Sequence, residues 1–369
     1  MKFLTAGESH GAGLTGIMEG LPAGFAIDEN GIRKALRLRR GGFGRGPRMA
    51  VEDDEIIFTG GLAGGKTYGA PLSFFIRNRD SSGVGRGSSV PRPGHSDLAG
   101  CLKYDLSDAS LPSECMGGRK TAAYVAMGEI AEQFLAAAGI AVAGVTSSIG
   151  GIKVPEPKGM SAAEMRATAA GSPLRTADSS ADGEIMEAIS RASENGDTLG
   201  GTILIAADGV PPGLGGFSQP DKRLDSRLAF AIMSVPGIKG IEIGAGFAGA
   251  AMTGTEYLGD GYPDGVKSSG GIEGGMSDGR RITASAAMKP IPTTRRGVPS
   301  ISLATGERIR SPFVRSDVCA VPAAAACCEA MTALTLLDAF LDRFGADTAG
   351  DTIENMRRTQ EKVEKRTSK

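Results

Sequence analysis

The sequence predicts an α+β fold built from mixed layers of helices and antiparallel sheets. Two observations lead to this class. Stretches with helical spacing and stretches with strand patterning alternate irregularly along the 369 residues, and several strand stretches form hairpin-like pairs with glycine-rich turns. A doubly wound parallel sheet would show a regular alternation of strands and helices instead. The apolar fraction of 41% is sufficient for a sizeable core.

The first half of the chain predicts two helices and a pair of strands. Asp28 is placed as the N-cap of a short helix that runs to Arg40, with two glycines after it. Residues 50–78 are typical of two strands joined by a glycine-rich turn. Residues 119–138 combine helical spacing with good helix formers, and a glycine ends this second helix.

The second half begins with a clear helix signal and ends in a charged segment. Ser161 and Glu164 have the spacing of a capping box at the start of a helix. The other predicted elements are a helix over 182–196, a buried strand over 200–210, a helix over 222–235, a glycine-punctuated strand pair over 237–258, a strand over 280–290 and a long apolar helix over 320–344. We predict a single domain over residues 1–345, followed by a charged, solvated tail over residues 346–369.

Composition and charge argue against several classes of protein. The formal net charge of −1 gives no general attraction to nucleic acid or to a membrane surface. We find no stretch typical of a signal peptide and no apolar stretch long enough to span a membrane. The five cysteines are odd in number, and two of them are adjacent, which suits neither a disulfide framework nor a zinc site. A reducing, cytoplasmic location is therefore expected.

One stretch matches a phosphate-binding loop letter for letter. Gly60 to Thr67 reads GGLAGGKT and follows a strand-like stretch, as the loop of an ATPase or GTPase would. That loop requires a helix to begin at its lysine, because the helix N-terminus helps to bind the phosphates. The following residues, 68–78, have strand patterning instead. We therefore interpret the match as a hairpin turn and predict a strand over 68–78.

The two histidines of the chain both lie in glycine-containing loops. His10 is found in GESHG and His95 in RPGHS, and histidine is the side chain best suited to proton transfer near neutral pH. Three interpretations are open at this point. The histidines belong to one acid–base site, or they are solvated surface residues, or they bind a metal with Glu8 or Asp97.

Arginines cluster near the end of the first predicted helix. Arg39, Arg45 and Arg48 flank the segment GGFGRG, where they can converge on one ligand. Arginine forks suit carboxylates and phosphates. Several arginines together with two histidines would suit a small polyanion that gains or loses a proton.

Nine motifs occur in the same order as in a known family. They are LTAGESHG, RRGGFGRGPRM, GAPLSFFIRNRD, RPGHSDLAGCLKY, GDTLGG, AIMSVPGIKGIEIGAGF, GGIEGGMSDG, AMKPIPT and RSDVCAVPAAAACCEAM. Through them the chain resembles the chorismate synthase family from about residue 1 to residue 345. The resemblance implies a β-α-β sandwich, assembled as a homotetramer. It also implies a phosphate lyase of the shikimate pathway, which converts 5-enolpyruvylshikimate 3-phosphate to chorismate and phosphate by trans-1,4-elimination with reduced FMN. The electrons for FMN come from NADPH in some members and from an external flavin reductase in others.

The resemblance also implies roles for particular residues. His10 would protonate the leaving phosphate, His95 would stabilise the reduced flavin near its pyrimidine edge, and Asp317 would help the flavin N5 to remove the ring proton. No metal is implied. The substrate-binding set is Arg39, Arg45, Arg48 and Arg119. The cofactor-binding set is Pro236, Gly237, Gly274, Lys289, Pro290, Ile291, Pro292, Thr293 and Arg315 for FMN, with Arg39 and Arg45 also matching positions associated with NADPH.

The chain departs from the family pattern in one segment. Residues 115–118 read Cys-Met-Gly-Gly, where the family has an arginine and small hydroxyl residues that contact the flavin. Ser107 and Ser110 stand where the family has arginines. Three functions therefore stay open on sequence grounds. They are a divergent chorismate synthase, a flavin-dependent paralogue acting on another phosphorylated cyclic acid, and a non-catalytic family member kept for binding or assembly.

Overall fold

The structure is a computed structural model that describes residues 1–46, 48–262, 265–314 and 316–367. The elements of its first part are β1 (Lys2–Gly7), β2 (Gly13–Glu19), α1 (Glu29–Arg40), α2 (Arg48–Val51), β3 (Ile56–Gly60), β4 (Leu62–Ala63), β5 (Lys66–Thr67), β6 (Leu72–Arg77), α3 (Asp97–Tyr104), α4 (Leu111–Met116), α5 (Thr121–Ala137), β7 (Ala141–Ile149) and β8 (Ile152–Lys153).

The remaining elements are α6 (Ala162–Ala169), α7 (Asp182–Glu194), β9 (Gly201–Asp208), α8 (Leu224–Met233), β10 (Ile238–Ile243), α9 (Gly246–Gly249), α10 (Gly254–Leu258), β11 (Ile272–Glu273), β12 (Met276–Ser277), β13 (Ile282–Met288), β14 (Pro299–Ile301), β15 (Arg308–Arg310), α11 (Val321–Phe344) and α12 (Ala349–Thr367). The predicted α+β class is confirmed.

Two antiparallel sheets form the outer layers of the fold. The first has the strand order β1-β2-β6-β3, and the second has the order β10-β13-β9-β7-β8. Alternate residues of β6 (Leu72, Phe74 and Ile76) are fully buried, as expected for a strand with one face on the core.

Helices α5 and α11 form the layer between the two sheets. Helix α5 packs against β2, and α11 packs against β7 and β9. The two helices cross closely at Gly128, where an added Cβ would lie 2.2 Å from the Cβ of Ala330. Gly144 similarly lets β7 approach α11, since its added Cβ would lie 2.4 Å from the carbonyl oxygen of Ala325. Small side chains at these two points allow the layers to bury their apolar faces on each other.

Contrary to the expectation from the sequence, helix α11 is long and apolar enough to cross a membrane by length and composition alone. In this fold 94% of its most apolar window is buried inside the protein. It packs against α1, α5, α8 and both neighbouring strands of the second sheet. These contacts are those of the central core helix of a folded domain.

Two predicted segments differ from the structure. The strand pair predicted over 237–258 is wrong in its second half, because only β10 is a strand and α9 and α10 follow it. The stretch after β10 is rich in glycine and alanine and poor in β-branched residues, which does not favour a strand. Thr253 and Glu256 form a capping box at the start of α10.

The segment predicted as a solvated tail forms helix α12 instead. Its inner face is anchored to the body of the protein, because Met356 is 3% exposed and Thr352 is 1% exposed. Asn355 Nδ2 donates a hydrogen bond of 3.0 Å to the carbonyl oxygen of Phe344. Thr352 and Met356 are four positions apart and therefore lie on one face of the helix. This face docks on the protein although most other residues of the helix are charged.

The match to a phosphate-binding loop folds as a hairpin. Strands β4 and β5 pair antiparallel across a turn in which Gly64 and Gly65 have φ angles of +55° and +77°. The next element is strand β6 and not a helix, so the prediction of a strand is confirmed. Without a helix N-terminus at the lysine, the segment lacks the feature that binds phosphate in ATPases and GTPases.

Candidate active site

Both histidines line one cavity of about 910 Å³, which is formed mainly by loops and by the first turns of α5 and α11. This volume is near the upper end of the range for small-molecule sites. Among the described residues that line it, eight are lysine or arginine and four are aspartate or glutamate. The cationic set is Arg39, Arg45, Arg48, Arg86, Arg92, Arg119, Lys239 and Lys289. The excess of positive charge favours an anionic ligand.

His10 is held by a carboxylate from a distant part of the chain. Its Nδ1 lies 2.9 Å and 3.0 Å from the two carboxylate oxygens of Glu114, and its backbone N–H donates to the same carboxylate at 2.8 Å. Glu114 is 3% exposed. The carboxylate therefore fixes the orientation of the imidazole ring.

The partners of His10 define which nitrogen carries its proton. Nε2 lies 3.0 Å from Nη1 of Arg48 and 2.5 Å from Nη2 of Arg86. A guanidinium only donates hydrogen bonds, so Nε2 must accept. Nδ1 then carries the proton, and this N–H donates a hydrogen bond to the carboxylate of Glu114. In this arrangement His10 is neutral, and its lone pair on Nε2 points toward the cationic side of the cavity.

His95 has a similar carboxylate partner. Its Nδ1 lies 2.7 Å from Oδ1 of Asp97, and the same carboxylate accepts a hydrogen bond of 2.7 Å from Nε of Arg92. Burial alone would raise the pKa of Asp97, but the hydrogen bonds from His95 and Arg92 lower it to about 2. In the part of the chain that the structure describes, Nε2 of His95 has no hydrogen-bond partner, so it is free to meet a ligand.

The lowered pKa of Asp97 predicts an acid-dependent contribution to stability. The folded-state pKa is below the ordinary value of 3.8, so the contribution is present above about pH 4 and is lost as the pH falls through about 2. At 1.36 kcal/mol per pKa unit it amounts to about 2 kcal/mol. We expect the free energy of unfolding of Asp97→Asn to be lower than that of the wild type at pH 6. The gap should close as the pH approaches 2.

A matched control is Asp53→Asn, because Asp53 also pairs with an arginine but its side chain is 44% exposed. This variant should change the free energy of unfolding by less than about 1 kcal/mol at any pH. A gap for Asp97→Asn that stays constant between pH 6 and 2 would show that ionisation of Asp97 does not contribute.

Asp317 is joined to the arginine-rich segment at the edge of the cavity. Its carboxylate accepts hydrogen bonds of 2.5 Å from Nη1 of Arg45 and 2.6 Å from the backbone N–H of Gly46. The side chain remains 20% exposed. Asp317 is thus an acidic side chain within reach of a ligand.

Arg39 is buried with spare hydrogen-bonding capacity. The residue is 1% exposed, and burial lowers its pKa from the ordinary value. Nη1 donates to Thr121 at 3.0 Å, and Nη2 lies 3.6 Å from the carboxylate of Asp54, but neither Nη2 nor Nε has a hydrogen-bond partner among the described residues. Nε of Arg45 is also unpartnered. Buried donors without partners are unfavourable, so these atoms fit the requirements of an anionic ligand that enters from the cavity.

Arg119, which the family resemblance predicts to bind the substrate, lines the cavity but is held by other parts of the protein. Its side chain is 1% exposed, and every guanidinium nitrogen is used by the protein. Nε donates to Asn78 at 2.7 Å, Nη2 donates to the carbonyl oxygen of Arg77 at 3.1 Å, and Nη1 pairs with Asp54. Arg119 therefore holds the wall of the cavity together.

Most of the positions predicted to bind the cofactor lie together along one wall of the cavity. These are Pro236, Gly237, Lys289, Pro290, Ile291, Pro292 and Thr293. The prolines and isoleucine supply apolar surface for a flat ring. Burial, and then the nearby charge of Lys239, lower the pKa of Lys289. An apolar wall with ammonium groups fits an aromatic ligand that carries negative charge.

Among the described residues, one predicted cofactor position is not found on this wall. Gly274 lies in the turn between β11 and β12, outside the cavity lining, because that hairpin pairs with Gly215 and not with the loops around the histidines. Arg315 lies outside the described residues. No group of three or more His, Cys, Asp or Glu residues is placed to hold a metal ion within the described chain.

Sequence reasoning did not identify Glu114 as a functional residue. It lies 104 positions from His10, on the short helix α4, and no local pattern connects the two residues. Arg86 lies in a glycine-rich loop, and no local pattern connects it with His10. Its contact with His10 depends on how that loop folds, which local patterning does not give.

Comparisons with known proteins agree with these observations. A profile of the family described as chorismate synthase matches residues 1–341. Chorismate synthase of Desulforudis audaxviator is 42% identical, with 98% of each chain covered. That of Syntrophotalea carbinolica is 40% identical, with 99% of each covered. A crystal structure of a chorismate synthase superimposes with a TM-score of 0.80 at 35% identity, over 99% of this chain and 98% of that one.

Proposed function

The chain belongs to the chorismate synthase family, and on that premise we propose how its own residues perform the family reaction. The reaction converts 5-enolpyruvylshikimate 3-phosphate to chorismate and phosphate by a trans-1,4-elimination, and the chain is a lyase of the shikimate pathway. Its family uses reduced FMN, which, when bound, supplies electron density to the substrate as the C–O bond breaks and then recovers it.

We propose that His10 is the general acid of this reaction. The observation that carries the proposal is the pair of contacts on its ring, with a buried carboxylate on Nδ1 and a cation-rich cavity in front of Nε2. Glu114 stabilises the imidazolium form, because its negative charge lies beside the ring and accepts a hydrogen bond from the N–H of Nδ1. Nε2 is then the nitrogen that gives a proton to the leaving phosphate.

The other residues bind ligands or hold charge around this acid. Arg39, Arg45 and Arg48 are proposed to bind the anionic groups of the substrate, and the unpartnered donors of Arg39 and Arg45 support this role. His95, with Nδ1 fixed by Asp97, presents Nε2 to the ring system of FMN. Asp317 is proposed to assist removal of the ring proton.

The FMN site itself is proposed on the wall that includes Pro236, Lys289 and Thr293, with Gly274 and Arg315 as further positions from the family pattern. We also propose that the chain forms a homotetramer in the cytoplasm as a single domain over residues 1–345. NADPH or an external reductase is proposed to keep FMN reduced. Because Arg39 is 1% exposed, Arg45 is the better candidate of the two arginines for contact with NADPH.

An anaerobic assay tests the proposed function. Purified protein with chemically reduced FMN is expected to form chorismate and phosphate from 5-enolpyruvylshikimate 3-phosphate in equal amounts. Oxidised FMN should support turnover only when NADPH or an added flavin reductase is present. Comparing the reaction with NADPH and the reaction with the added reductase identifies the source of electrons. Flavin binding without turnover would favour a paralogue with another phosphorylated cyclic acid as substrate. Failure to bind FMN would favour a non-catalytic role.

A further inference from the structure

A glycine-rich loop over residues 83–88 is tied firmly to its surroundings although it lies at the surface. The carboxylate of Asp108 accepts hydrogen bonds from the backbone N–H groups of Gly87 at 2.9 Å and Ser88 at 3.0 Å. The backbone N–H of Arg86 donates to Oγ of Ser110 at 2.8 Å. At the start of the loop, the N–H of Gly83 donates to the carbonyl oxygen of His10 at 3.1 Å.

The anchors of this loop are themselves fixed. Oδ1 of Asp108 also accepts from the backbone N–H and the hydroxyl of Ser110, at 2.9 Å and 2.7 Å. Burial alone would raise the pKa of Asp108, but these hydrogen bonds lower it. The carboxylate therefore stays ionised and keeps its partners near neutral pH. As a consequence, the loop holds the backbone of Arg86 in one place.

The side chain of Arg86 brings a second guanidinium to the nitrogen proposed to donate the proton. Nη2 of Arg86 lies 2.5 Å from Nε2 of His10, and Nη1 of Arg48 lies 3.0 Å from the same atom. Glu52 and Asp80 pair with the far side of the Arg48 guanidinium, which leaves its Nη1 facing His10. The single lone pair on Nε2 cannot accept fully from both Nη1 of Arg48 and Nη2 of Arg86. Two guanidinium groups that converge on one nitrogen are instead arranged as donors for a group with several acceptor oxygens, such as a phosphate.

We propose that Arg86 is a substrate-binding residue that, with Arg48, clamps the phosphate group of the substrate over Nε2 of His10. The inference rests on the proposed role of His10. It adds Arg86 as a further binding residue, and it places phosphate binding before protonation of Nε2. When the phosphate arrives, both guanidinium groups turn from Nε2 to its oxygens. Nε2 is then free to take up a proton from water, because the phosphate supplies an acceptor next to it.

The proton and electron count of the step is complete. The phosphate ester enters as a dianion, and His10 is protonated on both nitrogens. As the C–O bond breaks, its electron pair goes to the phosphate oxygen, and the proton on Nε2 goes to the phosphate group. The products of this half of the reaction are hydrogen phosphate and neutral His10. Arg48 and Arg86 carry the charge that develops on the leaving group.

Binding of inorganic phosphate tests the clamp without any turnover. The chain has only two histidines, so protein with ¹⁵N-labelled histidine gives two imidazole spin systems. The spin system that disappears in His95→Gln belongs to His95, and the one that remains belongs to His10. At pH 7.5, phosphate is expected to move the Nε2 resonance of His10 from the unprotonated to the protonated range. In Arg86→Gln the phosphate concentration needed should rise about tenfold to a hundredfold, as for loss of a charged hydrogen bond. Arg86→Lys should fall between the two.

Arg79→Gln is the matched control. Arg79 is an exposed arginine close in sequence to the same loop, it pairs with Asp53, and it is not among the residues that line the cavity. It should titrate like the wild type. Equal phosphate titrations of Arg86→Gln and Arg79→Gln would overturn the clamp. So would a titration in which phosphate leaves the Nε2 resonance of His10 unprotonated.

Turnover separates this inference from the proposed function. In Arg86→Gln, KM for the phosphorylated substrate should rise at least tenfold, whereas binding of reduced FMN should not change. Should His10→Ala abolish turnover while Arg86→Gln keeps the wild-type KM, the clamp is wrong and the general acid stands. If His10→Ala retains full activity, the proposed function of His10 fails, whatever the phosphate titration gives.

Discussion

Replacing His10 with alanine is expected to lower kcat by about 10²–10⁴-fold, the usual range for loss of a general acid. The physical reason is that phosphate leaves as a highly charged anion unless a proton reaches it as the C–O bond breaks. In this site Glu114 fixes the ring and the cavity in front of Nε2 is cationic. Anaerobic turnover with reduced FMN is the measurement.

Three controls accompany this variant. The free energy of unfolding should fall by about 1–3 kcal/mol at most, because the buried carboxylate of Glu114 loses its bond to the ring but keeps the backbone N–H of residue 10. Binding of reduced FMN should persist. The kcat that remains should lose its dependence on the ionisation of a histidine. A fall in kcat of less than about fivefold would refute the role of His10 as general acid.

Replacing Arg119 with methionine is expected to cost about 3–5 kcal/mol of folding free energy, the range for breaking a buried ion pair. Asp54 pairs with Arg119 directly, Glu52 lies 3.5 Å from its Nη2, and each of the three side chains is 0–1% exposed. Without Arg119 these carboxylates keep only the more distant Arg39 and the partly exposed Arg48. Urea denaturation of the wild type and the variant measures the loss.

Two further variants make this prediction specific. Arg33→Met removes an arginine whose ion pair with Glu29 is 46% exposed on both sides, so it should cost less than about 1 kcal/mol. Adding Asp54→Asn to Arg119→Met should recover part of the loss, because an uncompensated buried charge is removed. Equal stability of Arg119→Met and Arg33→Met would show that the buried pair contributes nothing.

The sequence predicted the secondary structure best where strong local signals agree. Asp28 caps α1 as predicted, and Ser161 with Glu164 forms the predicted capping box. The failures occurred where local signals are weak or mixed. The segment after β10 has few β-branched residues, and α12 has few apolar ones, so tertiary docking decides both.

The site was predicted less completely than the fold, because its residues meet through the chain topology. Both histidines lie on one cavity, as one of the three interpretations required. The partners of the two histidines differ in how far they lie from the histidines along the sequence, and only a near partner can be predicted from local pattern. Asp97 is two positions from His95, whereas Glu114 and Arg86 reach His10 across 104 and 76 positions. Arg119 is the opposite case. The sequence identifies the residue, but only the structure shows that its guanidinium is paired with Asp54 inside the protein.

Helix α11 has a consequence for the synthesis of the chain. It begins at residue 321 and covers the apolar surfaces of α5, β7 and β9, which the ribosome makes far earlier. Until α11 emerges, these surfaces face water or other chains, and exposed apolar surface of this kind promotes aggregation. A nascent chain that stops before residue 321 therefore has both sheets and α5 but lacks α11, the other helix of the layer between them. Chaperone binding to such arrested chains should end only when the last tenth or so of the protein has been made.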